Sequence, residues 1–178
     1  MAQDTKISVL AVVNCSFYFI AEIVDRKINC EDVNFAALIF DEEDSPIEVP
    51  WVILVENFDN FSKILRENFS DTDIIFIVSD ELSMFISSRV SRILKAAGIF
   101  CVGVLSFSWE FVHSHSYLVS IDRYEKSFDL FFHSMNLGID EFQSIFECLT
   151  DFTKILAKIT SGADITLEEL TDAVQVIK

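Results

Sequence analysis

Ile7-Ser8-Val9-Leu10-Ala11-Val12-Val13 is an apolar run with the length of a β-strand. Such a run is typical of a strand that is buried on both faces of a parallel sheet, since apolar side chains occupy odd and even positions alike. Four further runs follow along the chain, at Asn34–Phe40, Trp51–Val55, Ile74–Val78 and Phe100–Leu105. The chain is therefore predicted to contain a buried sheet, and the segments between the runs decide its class.

Helical segments lie between the predicted strands. Apolar residues recur at every third or fourth position and predict helices over Ser16–Arg26, Phe58–Phe69 and Leu82–Ala97. The last has apolar residues at positions 82, 85, 86, 90, 93 and 94, and Gly98 suits the left-handed conformation that ends a helix. The alternation predicts an α/β, Rossmann-like three-layer sandwich with a mostly parallel sheet of about six strands.

The C-terminal third of the chain changes character. Tyr117–Ile121 predicts a sixth strand, whereas the spacing of apolar residues from roughly Phe128 to Ile159 predicts a long central helix that packs on the domain. Thr166-Leu167-Glu168-Glu169 is typical of a capping box and predicts a last short helix. No repeat or linker interrupts the sequence, so we expect residues 1–178 to form a single domain.

The composition combines an apolar interior with a strongly acidic surface. Hydrophobic residues make up 51% of the chain, which indicates a folded core. The net charge of −16 argues against nucleic-acid or anionic-membrane partners, and fits a solubilising surface or a basic protein partner. The apolar stretch Ile7–Val24 carries polar residues and is short for a bilayer, so we expect no membrane partner and a cytoplasmic protein.

Cysteines and histidines give no pattern of catalysis or metal binding. The four cysteines are widely spaced without a CxxC pair, so buried reduced thiols are expected at Cys15, Cys30, Cys101 and Cys148. His113 and His115 could point to one side of a strand, but no third ligand follows at a useful spacing. No GxSxG turn occurs either. We predict no metal site and no catalytic residue.

Glycine is missing from the turns where strands lead into helices. The chain has only four glycines, at positions 98, 103, 138 and 162. Phosphate binding at such a turn requires close approach to backbone amides, and glycine permits that approach. Here the turns read Val13-Asn14-Cys15-Ser16-Phe17 and Ser79-Asp80-Glu81-Leu82-Ser83, with bulky and acidic side chains instead. We therefore predict that the chain uses no nucleotide cofactor.

Several strings of this sequence resemble segments of one known family. Lys6–Val12 is similar to its opening strand, and Asp73–Ile77 to the strand that leads to its second phosphate loop. Arg92–Gly98 followed by Phe100–Ser106 resembles its run of helix, glycine and buried strand. Phe107–Phe111 lies where the family has a proline-phenylalanine-x-phenylalanine-glutamate-glycine segment. By these strings and the order of elements, the chain resembles the GTP-binding half of the FtsZ/tubulin family.

The departures from that family concentrate in its GTP chemistry. Both phosphate loops are altered, at Val13–Phe17 and Asp80–Met84, and no segment matches the family's second domain. The segment similar to its catalytic loop, Thr166–Thr171, lacks the last acid unless Asp172 substitutes for it. The resemblance thus implies a non-catalytic pseudo-GTPase domain that acts through protein–protein interaction. Its implied partner is a subunit of a cell-division or cytoskeletal filament, or a second copy of the chain.

A competing hypothesis places a small molecule or nucleotide in the crevice at the carboxyl ends of the strands. The candidate binding residues are Asn14, Ser16, Asp80, Ser83, Asp122 and Asp140. The resemblance relates Asp122 to a nucleotide-contacting string of the family and Asp140 to its guanine-reading aspartate. Asp140 also fits an exposed acid in the first turn of a helix. An open crevice would favour the ligand-binding hypothesis. A crevice filled by Phe17 and its neighbours would favour the pseudo-GTPase hypothesis.

Overall fold

The computed structural model describes residues 5–12, 33–40, 51–56, 58–108 and 117–135, together with residues 140 and 144. The chain divides into two compact units, one of Lys6–Leu137 and one of Met1–Thr5 with Gly138–Lys178. All described strands lie in the first unit. The expectation of a single domain over residues 1–178 stays a prediction.

The described strands form one parallel sheet. They are β1 (Ile7–Val12), β2 (Val33–Ile39), β3 (Val52–Leu54), β4 (Ile74–Asp80), β5 (Phe100–Phe107) and β6 (Leu130–Met135). Their order across the sheet is β3-β2-β1-β4-β5-β6, and every neighbouring pair is parallel. This is the strand order of the doubly wound nucleotide-binding fold. The predicted α/β, Rossmann-like class is confirmed.

Both faces of the sheet are buried at its centre. Leu10 and Ile77 on one face, and Val9 and Phe76 on the other, are each 0% exposed. Val9 lies opposite Phe76 in the β1–β4 pairing, so the two central strands share each face in register. Burial on both sides is the reason that these strands read as continuous apolar runs. The first five predicted strands are confirmed, with their described ends within two residues of the prediction.

Three described helices cover one face of this sheet. A 3₁₀ turn (Phe58–Asn60) leads into α1 (Phe61–Asn68), and α2 (Met84–Lys95) and α3 (Tyr117–Glu125) follow. α2 contacts both α1 and α3, so the helices form one outer layer of the fold. They enclose a single apolar cluster with the sheet, in which Phe61, Leu94 and Tyr124 contact the central strands.

Gly98 ends α2 as the sequence predicts. Its φ of +90° lies in the left-handed region, and its N–H donates to the carbonyl of Lys95 at 2.9 Å. This conformation is strained for a residue with a Cβ, which is why glycine stands there. The helix predicted over Ser16–Arg26 lies outside the described residues. The part of the predicted long helix beyond Met135 also lies outside the described residues, apart from Asp140 and Ser144, which are both helical.

The sequence prediction is wrong between β5 and β6. Tyr117–Ile121, predicted as the sixth strand, is instead the first part of α3, and the strand is Leu130–Met135, where the long helix was predicted to start. Apolar residues at 128, 131, 132 and 135 fit helical spacing as well as a strand. The free edge of β5 decides between them, because it offers a full ladder of backbone partners from Val102 to Phe107.

The inner side of α2 carries buried serines together with two of the apolar residues that predict the helix, Val90 and Leu94, which are 0% exposed. Ser87 and Ser91 are 0% exposed, whereas Leu82 before the helix and Phe85 in its first turn are 87% and 75% exposed. The Ser91 hydroxyl donates to the carbonyl of Ser127 at 2.6 Å, so the buried hydroxyl has a partner. Two of the apolar residues that predict the helix, Leu82 and Phe85, instead lie at the surface near its start.

Candidate functional site

The strand order reverses between β1 and β4, where the next strand along the chain changes from one side of β1 to the other. In open α/β sheets this switch point is where a crevice opens at the carboxyl ends of the strands. The turn after β1 lies outside the described residues, including Asn14, Ser16 and Phe17. The turn after β4 is described, and it carries Asp80 and Ser83, two of the predicted site residues.

The carboxylate of Asp80 is bonded to the helix that follows it. Asp80 is the last residue of β4 and is 7% exposed; Ser83 is the N-cap residue of α2 and is 2% exposed. One carboxylate oxygen, Oδ1, accepts the backbone N–H of Ser83 at 2.8 Å and its hydroxyl at 2.7 Å. A helix N-terminus attracts negative charge, because its first N–H groups lack partners within the helix. Here the protein supplies that negative charge itself.

A buried polar network extends from this turn to α3. The Ser87 hydroxyl donates to the carbonyl of Ser83 at 3.0 Å, and the Ser79 hydroxyl shares a hydrogen bond of 2.5 Å with the Tyr124 hydroxyl. Burial raises the pKa of Tyr124 well above its ordinary value, against smaller opposing effects of the hydrogen bonds with Ser79 and Ser87. We call Ser79, Asp80, Ser83, Ser87 and Tyr124 the switch-point network.

The switch-point network satisfies its polar atoms from within. In the described ranges, no buried side-chain nitrogen or oxygen is left without a hydrogen-bond partner. A binding site built for a polar ligand keeps donors and acceptors directed at the ligand. In the described half of the crevice, the serine and tyrosine hydroxyls and one carboxylate oxygen instead have their partners within the protein, which is the arrangement of a structural network.

Among the remaining predicted site residues, Asp122 is described in the same unit and does not join this network. Asp122 lies on the exposed side of α3, where its carboxylate pairs with Lys126 at 2.7 Å. Asp140 is exposed and helical, in the unit that contains Gly138–Lys178, and its carbonyl accepts the Ser144 hydroxyl at 2.9 Å. Asn14 and Ser16 lie outside the described residues. The structure therefore brings together Asp80 and Ser83 among the six predicted residues.

Cys101 is an inert thiol. It is 0% exposed on β5, and burial raises the pKa of its thiol to about 12, so the reactive thiolate is disfavoured. This agrees with the predicted buried, reduced state; Cys15, Cys30 and Cys148 lie outside the described residues. No cluster of three metal-ligating side chains occurs where the structure describes the chain, and His113 and His115 are not in that part.

A groove on the outer side of α1 and α2 was missed by the sequence analysis. It has a volume of about 340 Å³, and three of the chain's five arginines line it with apolar residues: Arg66, Phe85, Arg89, Arg92, Ile93 and Ala96. A sequence signal for it exists. Residues 82–109 contain no Asp or Glu, in a chain that has 29 acidic residues in 178. A local gap in so dense a distribution of acids marks a surface of opposite charge.

Comparisons with known proteins find no family for this chain and only distant structural similarity. No family model and no curated protein matches this chain. Among solved structures, it is similar to a crystal structure of S. aureus homoserine dehydrogenase at pH 6.0, with a TM-score of 0.42, 11% identity, and coverage of 75% of this chain and 34% of that chain. A second structure of the same enzyme, at pH 6.5, has a TM-score of 0.41 and 11% identity, with coverage of 73% of this chain and 32% of that chain. The chain thus spans about a third of the length of these dehydrogenase chains.

Within the described ranges, no helix is both long enough and apolar enough to cross a bilayer.

Proposed function

We propose that this chain is a non-catalytic α/β domain that acts by binding other proteins, an FtsZ/tubulin-like pseudo-GTPase domain that regulates or joins a cell-division or cytoskeletal filament. The observation that carries the first part of this proposal is the position of the Asp80 carboxylate. It lies at the switch point of the sheet and is bonded to the N-terminus of α2, the place where a nucleotide-binding fold holds phosphate.

A phosphate group beside Asp80 would be strongly disfavoured. Two unit negative charges about 4 Å apart repel each other by about 4 kcal/mol at the dielectric typical of a protein surface. That repulsion corresponds to a loss of affinity of roughly a thousandfold. The Ser83 amide and hydroxyl, which could otherwise donate to a phosphate, are already bonded to Asp80. Both effects oppose GTP binding at this turn.

The resemblance to the FtsZ/tubulin family supplies the candidate partner. A domain that keeps the family's order of elements, but has altered both phosphate loops, retains a rigid surface and loses the chemistry. A filament subunit, or a second copy of this chain, is the partner that the resemblance implies. The net charge of −16 makes a nucleic acid an unfavourable partner for the surface as a whole.

Two measurements test the proposal. Saturating GTP or GDP with Mg²⁺ is expected to leave the melting temperature unchanged, whereas a ligand at a hundred times its Kd would stabilise the fold by about 2.7 kcal/mol. For a chain of this size that corresponds to roughly 5–10 °C. Co-sedimentation with polymerised FtsZ from the same organism is expected to bring the chain into the pellet. A clear nucleotide-dependent shift contradicts the first part, and absence from the pellet contradicts the filament partner.

A second candidate function is favoured by the strand order. The switch point between β1 and β4 is where small ligands bind in this class of sheet. With Asp80 beside it, such a ligand would be neutral or cationic rather than phosphorylated. A thermal-shift screen with uncharged and cationic metabolites separates this function from protein binding, because only a bound metabolite raises the melting temperature.

A further inference from the structure

The groove between α1 and α2 differs in charge from the chain around it. We call its lining residues the arginine groove: Arg66, Phe85, Arg89, Arg92, Ile93 and Ala96. α2 contains no acidic residue, and the acid in α1, Glu67, lies 3.7 Å from Lys63 in an ion pair. Within the described ranges, none of the three arginines has a carboxylate within ion-pair distance. The groove therefore presents uncompensated positive charge in a chain with a net charge of −16.

Two of the three guanidinium groups are held in place. The Arg89 guanidinium carbon lies 5.3 Å from the centre of the Phe58 ring and 5.5 Å from that of Phe61. Arg92 donates from Nε to the carbonyl of Ser88 at 3.2 Å and from Nη2 to its hydroxyl at 3.3 Å. A guanidinium has five N–H donors, so Arg92 keeps donors for a ligand. Groups fixed before binding lose less conformational entropy when a ligand arrives.

The groove also has an apolar wall. In the lining, Phe85 is 75% exposed and Ile93 is half-buried; Leu82, three residues before Phe85 and 87% exposed, lies outside the lining. Large apolar side chains at such exposure are typical of a surface that another protein covers. A small-molecule site encloses most of its ligand, and side chains as exposed as these do not. The shape and the mixed charge fit a segment of a protein.

We propose that the arginine groove binds an acidic, amphipathic segment of a protein partner, with carboxylates on the arginines and a large apolar side chain against Phe85. Arginine binds carboxylates through two parallel hydrogen bonds, which gives both affinity and orientation. A shallow groove between two helices is the geometry in which an amphipathic helix docks. The inference rests on the proposed protein-binding function and assigns a surface and a partner chemistry to it.

The experiment selects binders from a display library of random 16-residue peptides against the purified chain. Selected peptides are labelled with fluorescein and titrated by anisotropy against the unmodified chain and three variants. Arg66→Gln and the double variant Arg66→Gln/Arg92→Gln remove groove charges, and both side chains are exposed, so the fold is expected to persist. Arg123→Gln is the matched control, because it removes an exposed arginine on α3 that does not line the groove.

We expect the selected peptides to combine Asp or Glu with Leu, Phe or Trp. Each arginine removed from the groove should weaken their binding by about tenfold, the usual effect of losing a charge-assisted hydrogen bond. Arg123→Gln should leave binding unchanged, and rising salt should weaken it. The inference is overturned if no peptide is enriched, if the enriched peptides are not acidic, or if they bind the double variant as tightly as the unmodified chain.

These outcomes are separate from those that test the proposed function. If the double variant still co-sediments with FtsZ filaments as the unmodified chain does, the proposal that the arginine groove binds the partner is wrong. The proposed protein-binding function is then kept, with another surface as the binding site. If GTP raises the melting temperature, the pseudo-GTPase proposal fails whatever the peptides show. A nucleic-acid oligonucleotide that competes for the groove more strongly than the acidic peptides would also overturn the inference.

Discussion

Replacing Asp80 by alanine tests whether the protein itself satisfies the N-terminus of α2. The carboxylate accepts the backbone N–H and the hydroxyl of Ser83, at 2.8 and 2.7 Å, with both residues buried. Loss of a capping acceptor costs about 1 kcal/mol. The Ser83 N–H keeps a weaker bond to the Asp80 carbonyl at 3.2 Å, but the hydroxyl loses its acceptor, which adds about 1–2 kcal/mol. We expect Asp80→Ala to destabilise the chain by about 2–3 kcal/mol.

Two further variants separate geometry from charge. Asp80→Asn keeps an oxygen in the acceptor position and loses the charge next to the helix N-terminus, so its cost is expected to be about 0.5–1 kcal/mol. Asp122→Ala is the matched control, because it removes another carboxylate with a hydrogen-bond partner, in an exposed pair with Lys126. Exposed pairs contribute little, so its cost should be below about 1 kcal/mol. The two alanine variants change the net charge by the same amount.

The assay is urea unfolding followed by circular dichroism. The slope of the unfolding free energy against urea concentration should be the same for all variants, which checks that their unfolded states are alike. The reasoning is refuted if Asp80→Ala costs no more than Asp122→Ala. It is also refuted if the double variant Asp80→Ala/Ser83→Ala is less stable than the sum of its single changes, since Ser83→Ala removes the hydroxyl that Asp80→Ala leaves unpaired.

Three other changes are expected to have measurable effects in the same assay. Gly103→Ala would place its Cβ 2.8 Å from ring carbons of Phe128, which itself packs against Tyr124. The change should therefore destabilise the chain by about 1–3 kcal/mol, and Phe128→Leu should restore part of that stability. An unchanged stability would contradict this contact. Tyr124→Phe should destabilise the chain by about 1–2 kcal/mol, because the Ser79 hydroxyl loses its buried partner. Ser79→Ala should cost little further stability in the Tyr124→Phe protein. If the costs of the two changes simply add, the two hydroxyls are not coupled. Burial raises the pKa of Cys101 from 9.0 to about 12, so the unfolded thiol ionises first and stability should fall as the pH rises from about 9 to 12. Cys101→Ala should remove up to about 1.4 kcal/mol per pH unit of that fall, and parallel pH profiles of the two proteins would contradict it.

The sequence predicts the described strands and helices as far as β5, including the helices Phe61–Asn68 and Met84–Lys95, and it fails from Tyr117 to Met135. β1 and β4 are apolar at every buried position because both faces of the sheet are covered, and that pattern needs no knowledge of the partner strand. Leu130–Met135 has the same local pattern as a helix, and only pairing with β5 makes it a strand. The local sequence pattern is therefore sufficient to assign a strand that is buried on both faces. It is insufficient where one segment fits the spacing of a strand and of a helix equally well.

The candidate site divides in the same way. The absence of glycine at the strand-to-helix turns predicted a crevice without phosphate chemistry, and Asp80 and Ser83 were named from the sequence of one turn. That Asp80 bonds to Ser83 rather than facing solvent follows from the turn's backbone course, which a sequence pattern does not give. Asp122 was named for its place in a string, but its position on α3 directs it to Lys126 at the surface.

The amino-acid sequence by itself determined the class of the fold and the acidic character of the chain, because the apolar pattern and the net charge belong to the residues themselves, whatever their neighbours in space. The tertiary structure alone decided the strand order, the closure of the switch-point network and the arginine groove. Arg66 on α1 and Arg92 on α2 are far apart along the chain, and they line one groove because the two helices pack side by side on the same face of the sheet. Charged residues that are separated along the sequence form one charged surface only when the packing of the helices brings them together.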